Sequence, residues 1–216
     1  MPTPGLSRYD VAGAPRAAVL MLHGGRPSST RPVDGLSASW RVMLALQRAV
    51  AQPAHDRGVS VWALRYRFRG WNGGGPPVED AHWALDGLRK ELGEVPVVLL
   101  GHSMGGRVSV HAAAHPSVVG VVALAPWFTD QTPVAGLAGK HLVAAHGTHD
   151  RITSYALTRA LVDRAEGVAR SARFVDMGPL GHYLIRGRRH WSQLAATEAL
   201  RLAVPESSPE GSENIR

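Results

Sequence analysis

Six short apolar runs recur along this chain: AAVLMLHGG (17–25), VSVWALRYR (59–67), PVVLLGHS (96–103), VGVVALAPW (119–127), HLVAAHGTHD (141–150) and ARFVDMGPLGH (172–182). Their hydrophobicity is nearly continuous and rich in valine. Strands buried on both faces of a parallel sheet carry that pattern, whereas half-solvated antiparallel strands alternate. Segments at about 38–54, 77–92, 104–115, 154–166 and 188–203 carry apolar residues at helical spacing. Strand alternating with helix specifies βαβ units with right-handed crossovers. The expected fold is α/β, a doubly wound, mostly parallel sheet of about six to seven strands with helices on both faces.

A chain of 216 residues, 44% hydrophobic, supplies one sizeable core, so residues 1–204 read as a single domain. The stretch 205–216, PESSPEGSENIR, is rich in Ser, Glu and Pro and reads as a disordered acidic tail. No stretch approaches eighteen uninterrupted apolar residues, so we expect no membrane span. The start, MPTPGLSRYDVAGAPR, lacks the apolar centre of a signal peptide, and the expected location is cytoplasmic. There is no cysteine, which removes disulfides, a thiolate nucleophile and zinc–cysteine sites from consideration. All but two of the 24 basic residues are arginine, and the formal charge is +7. No basic run exceeds RGRRH (186–190), and we expect no nucleic-acid partner. Nothing in the sequence fixes the oligomeric state.

In an open parallel sheet, sites form outside the carboxyl ends of the strands. The residues at the tail of each run therefore form the rim of a site: HGGRP, RYRFRGWNGGG, GHSMGG, APWFTD, HGTHD and GPLGH. Within it, Gly101-His102-Ser103-Met104-Gly105 is a G-x-S-x-G pentapeptide, with an apolar strand before it and a helix-forming segment after it. So sharp a turn strains the central residue and leaves no room for Cβ atoms two positions either side. It lifts the Ser103 hydroxyl above the sheet as a candidate nucleophile.

A serine nucleophile needs a base. In this architecture the acid and then the histidine follow the serine along the chain. Of the eleven histidines, His182 directly follows a strand at the correct edge, while His190 falls at the start of the last helix. His182 is therefore the candidate base. The acid that orients it must also sit just past a strand. Asp150 closes HLVAAHGTHD and is the candidate, with Asp130 after the preceding strand as the alternative. A metal cluster of His146, His149 and Asp150 would leave Ser103 unexplained, so neither a metal nor a cofactor is expected.

Acyl transfer also needs two amide donors for the tetrahedral oxyanion. The N–H of Met104, at the start of the helix, is one. Gly25, in His23-Gly24-Gly25-Arg26, is the other, with Arg26 as the alternative. Arg26, Trp127 and Phe128 are candidate substrate contacts, the two aromatics as an acyl wall. The arginines of RYRFRGWNG (Arg65, Arg67, Arg69) are expected to pair with carboxylates such as Glu79 or Asp80 rather than to bind a substrate anion.

Taken together, HGG after one strand, GHSMGG, HGTHD and the late GH resemble the α/β-hydrolase-fold serine hydrolases in order and spacing, over about residues 17–202. In size and simple layout the chain is similar to the small lidless members, including the dienelactone-hydrolase-like group. Two features depart from those relatives: there is no cysteine nucleophile, and RYRFRGWNG replaces a shorter Arg-Gly turn. FTDQTPVAGLAGK (128–140) is too short for a helical cap. The resemblance implies a cofactor-free hydrolase of small or medium carboxylic esters or thioesters, acting through an acyl-enzyme. The same constellation serves amidases and perhydrolases, and the same scaffold can serve as a binding protein.

Overall fold

A computed structural model describes residues 2–205. The sheet has seven strands: β1 (Gly5–Tyr9), β2 (Ala17–Leu22), β3 (Val59–Arg65), β4 (Val97–His102), β5 (Val118–Leu124), β6 (His141–His146) and β7 (Ser171–Asp176). Their spatial order is β1-β3-β2-β4-β5-β6-β7, parallel throughout except for β1, which runs antiparallel to β3. The six strands read from the apolar runs are all present, each ending before or, as β4 does, within the residues at its tail.

The chain moves from β2 to β3 in one direction along the sheet, then crosses back over β2 to β4. Right-handed crossovers in opposite directions put their helices on opposite faces. Helix α1 (Ala38–His55) lies on one face, where α5 (Arg188–Ala203) packs against it; α2 (Gly75–Leu92) and α3 (Met104–Ala112) pack together on the other. Helix α4 (Tyr155–Glu166) packs on β6 and β7. The reversal leaves a crevice between the ends of β2 and β4, where ligands bind in such sheets. The HGGRP and GHSMGG loops both start there.

β2 and β4 are buried along their whole length, and Trp62 and Trp191 are among the largest side chains with no exposed surface. Strand β1 was not expected, because GLSRY carries neither an apolar run nor an alternation. Tertiary bonds hold it instead: buried Gln47 on α1 donates to the carbonyls of both Ser7 and Val61, tying β1 to β3 at 3.0 Å each. Between β5 and β6 the described chain contains a single 3-10 turn, Ala135–Leu137, and no cap domain. No helix among the described residues is long and apolar enough to cross a membrane. The tail read as disordered lies, apart from Pro205, outside the described residues.

Candidate active site

Ser103 caps α3 with φ 55° and ψ −119°, a left-handed conformation that a serine adopts only where its neighbours enforce it. A Cβ on Gly101 would lie 2.3 Å from the Gly105 carbonyl oxygen, and one on Gly105 would lie 1.9 Å from that of Leu22. The two glycines thus have different jobs. Gly101 lets the turn close on itself, and Gly105 lets the start of α3 lie against the end of β2. The turn is also clamped to β5: the Ser103 N–H donates to Leu124 at 3.1 Å, and the Ser103 carbonyl accepts from Trp127 N–H at 3.0 Å.

His182 Nε2 lies 3.0 Å from Ser103 Oγ and its Nδ1 lies 2.8 Å from Asp150 Oδ2. A proton on Nδ1, donated to the carboxylate, leaves Nε2 free to accept from the serine hydroxyl. The ring is almost entirely buried, and the His182 carbonyl accepts from His102 Nε2 at 3.0 Å. Asp130, the alternative acid, is exposed in a turn, and His190, the alternative base, is exposed at the start of α5.

The Asp150 side chain has no exposed surface yet is held as an anion by five donors. Oδ2 accepts from His182, from Thr153 Oγ1 at 2.8 Å and from His146 Nε2 at 3.1 Å. Oδ1 accepts from the amides of Ile152 at 2.7 Å and Thr153 at 2.9 Å. Burial opposes ionisation, but the bonds from His146, His182 and the two amides prevail and hold the carboxyl well below the usual carboxylate range. His146 and Thr153 were not read from the sequence as supports for the acid. A signal was present: His146 ends a run of apolar strand residues, and a buried imidazole there needs partners at both nitrogens. It finds them in Asp150 and, at 2.7 Å, in Thr158 Oγ1. Of the residues weighed as a metal cluster, His146 is turned to Asp150 and His149 is exposed, and no metal-holding group of His, Cys, Asp or Glu occurs among the described residues.

Two other histidines stand behind the site. His23 and His102 are fully buried and desolvation pushes both down to about 4, so both are neutral at pH 7. The neighbouring His182 ring lowers His102 further.

The oxyanion candidates separate cleanly. The Arg26 N–H is consumed by the Arg69 carbonyl at 2.8 Å, which excludes it as a donor to a bound oxygen. The amides of Gly25 and Met104 have no backbone acceptor among the described residues. A Cβ on Gly25 would lie 2.5 Å from the Met104 sulfur, so the two donor-bearing segments are in contact.

The substrate contacts fare differently. Phe128 is 2% exposed and belongs to the core, which corrects its reading as an acyl wall: the bend after β5 turns the ring inward. Trp127 is half-buried, edge-on to Trp71 at 6.4 Å, with the Arg107 guanidinium 5.0 Å from its ring. Arg26 is exposed beside Gly25. Two arginines of RYRFR have the carboxylate partners expected of them, Arg67 binding buried Asp80 through Nε at 2.6 Å and reaching Glu79, and Arg69 pairing with Asp34 at 2.8 Å, whereas Arg65 donates to the Val33 carbonyl instead.

The sequence profile of the alpha/beta hydrolase family matches residues 19–211, and the chain belongs to that family. Among solved structures it is similar to an alpha-beta serine hydrolase homologue from Coxiella burnetii, with a TM-score of 0.71 at 16% identity, covering 91% of this chain and 92% of that one. It is also similar to an α/β serine hydrolase without lid from Xanthomonas campestris (TM-score 0.67, 20% identity, 95% and 91% covered). A third likeness is to Est1E from Butyrivibrio proteoclasticus, solved with ferulic acid bound (TM-score 0.68, 12% identity, 92% and 95% covered). At these identities the likeness is one of fold. Among curated proteins, none matches the sequence.

Proposed function

We propose that the protein is a serine hydrolase that cleaves small to medium carboxylic esters or thioesters through an acyl-enzyme. The observation that carries the reading is the unbroken relay from Ser103 Oγ through His182 to Asp150, at 3.0 and 2.8 Å. His182 takes the serine proton as Oγ attacks the acyl carbon, and Asp150 holds the imidazolium in place. The amides of Gly25 and Met104 receive the negative charge on the carbonyl oxygen. His182 then passes its proton to the leaving group, and water resolves the acyl-enzyme by the same route in reverse.

Support for an ester-type substrate comes from the family, from neighbours named as esterases, and from Est1E, which was solved with ferulic acid bound. With only a short loop between β5 and β6, and Phe128 turned into the core, a long acyl chain gains little of the roughly 0.8 kcal/mol that each buried methylene contributes. The test is a panel of p-nitrophenyl esters of graded acyl length, run beside an acyl thioester, with a fluorophosphonate probe for the nucleophile. We expect kcat/KM to peak at short chains of about two to six carbons and the probe to label Ser103. A rate rising steadily to long-chain esters would refute the open acyl site, and labelling elsewhere would refute the nucleophile.

A further inference from the structure

His182 forms part of the wall of a cavity of about 420 Å³. The rest of that wall has an unusual make-up. Ile152, Tyr183 and Ile185 line it while being 62%, 62% and 70% exposed. Six large hydrophobic side chains stand exposed among the described residues, and half of them meet here. Scattered exposed apolar residues need no explanation, but a cluster around a concave surface does. The Tyr183 ring is edge-on to the His182 ring at 5.5 Å, so the cluster begins at the reacting centre.

Interleaved with these are cations. Arg151 and Arg186 line the same cavity, and neither guanidinium makes an ion pair or hydrogen bond with any described residue. Ile185 is shared with a second cavity of about 490 Å³ between α1 and α5, whose wall adds Arg48, Arg188 and Arg189, again without a carboxylate partner among the described residues. RGRRH, the longest basic run of the sequence, is thus gathered around an apolar floor that starts at the candidate base.

Chemistry decides which part of a substrate lies there. When Ser103 Oγ bonds to the acyl carbon, the C–O or C–S bond breaks and its electron pair departs with the oxygen or sulfur. That atom takes the proton from His182 Nε2, so it must lie within hydrogen-bond reach of the imidazole. The leaving group therefore emerges on the His182 side. Resting on the hydrolase reading above, we propose that this cavity selects an alcohol or thiol leaving group with an apolar body and a terminal phosphate. Ile152, Tyr183 and Ile185 hold the body, and Arg151 and Arg186 hold the phosphate. Guanidinium forks match phosphate oxygens bidentately, and more than one fork suits a dianion.

Two measurements test this, one independent of turnover. In calorimetry on the full chain, hexyl phosphate should bind at least about tenfold more tightly than either 1-hexanol or inorganic phosphate, and the Arg151→Gln/Arg186→Gln double variant should lose about that factor. In turnover, S-acetyl 6-mercaptohexyl phosphate should exceed S-acetyl hexanethiol in kcat/KM by a similar ratio. The remote charge leaves the sulfur chemistry alike, and the ratio should shrink with added salt and fall towards one in the double variant. Equal binding of hexyl phosphate and hexanol, or a double variant that binds as the native chain does, would overturn the proposal. So would binding to phosphatidylglycerol vesicles but not phosphatidylcholine vesicles, with no affinity for free hexyl phosphate: that would make the patch a membrane-contact surface. Equal turnover of both thioesters overturns the phosphate preference and leaves the hydrolase reading standing. Binding of hexyl phosphate without turnover of either thioester or of any p-nitrophenyl ester overturns the hydrolase reading and leaves the phosphate site.

Discussion

Two walls meet at Ser103 and are built on opposite terms. On the β2–β4–β5 side nearly everything is determined: the serine backbone is strained, Gly101 and Gly105 touch neighbouring carbonyls, His23 and His102 are sealed in as neutral rings, and Arg67 and Arg69 have carboxylate partners. On the side formed by residues 149–152 and 181–189, large side chains stand in solvent and no arginine is paired among the described residues. The first wall spends conformational freedom on placing one hydroxyl. Around the bonded Asp150 and His182, the second keeps its arginines unpaired and its large apolar side chains exposed, as a surface that meets a ligand must. Equal arginine content in RYRFR and RGRR therefore means opposite things, and partner accounting separates them where composition does not.

If the rigid wall exists to aim Ser103, its removal must have the largest effect. Ser103→Ala should lower kcat by roughly 10⁴-fold or more with the fold retained; a variant keeping a tenth of the native esterase rate would break the comparison at its root. Asp150→Asn should cost on the order of 10³–10⁴ in kcat, because the imidazole loses its orienting anion, while exposed Asp130→Asn should leave the rate near native. The opposite ranking in steady-state assays would move the acid to the loop after β5.

Glycines on the two walls give a sharper contrast in stability. Gly105→Ala forces a methyl group onto the Leu22 carbonyl and should cost more than about 3 kcal/mol in chemical denaturation. At Gly181, on the open wall, the nearest atom to an added Cβ is the His149 carbonyl oxygen at 3.6 Å, an ordinary contact, and the Ala variant should stay within about 0.5 kcal/mol of native. Equal losses would mean that the two walls are equally packed.

Acid should also act on the rigid wall. His23 and His102 fall to about 4 in the folded protein, whereas in the unfolded chain they protonate near 6.5. Between those values the unfolded state binds more protons, so their stabilisation is complete above about 6.5 and is lost as pH falls to about 4. Urea unfolding at pH 7 and pH 4.5 should differ by a few kcal/mol. A flat profile would mean that neither ring is sealed from water.

How much of this was legible depended on whether the signal was local. Five of the six strands announced themselves because a strand buried on both faces must be apolar at nearly every position, whereas β7, at the sheet edge, has no fully buried residue. The elbow announced itself because its glycines answer to atoms a few residues away. Asp150 and His182 were singled out by their places after strands, and the fold brings both to Ser103. Strand β1 was hidden because Gln47, from another helix, is what holds it. The choice between Gly25 and Arg26 turned on a bond from Arg26 to Arg69, across a sequence gap that no motif spans. Phe128 was misread since a bend of the chain, not its composition, decides which way an aromatic ring faces. His146 was weighed as a metal ligand because its true partners, Asp150 and Thr158, come together only when α4 folds back against β6.

The brief connection between β5 and β6 also bears on time. Enzymes of other architectures often spend most of each cycle opening and closing a flap over the reactants, on the microsecond-to-millisecond scale. Among the described residues this chain carries no such flap: a single 3-10 turn stands where one would be inserted. For the proposed hydrolase we therefore expect entry and escape to be governed by diffusion. Progress curves should start without a lag, and thickening the solvent with sucrose should slow kcat/KM only as far as encounter itself limits it.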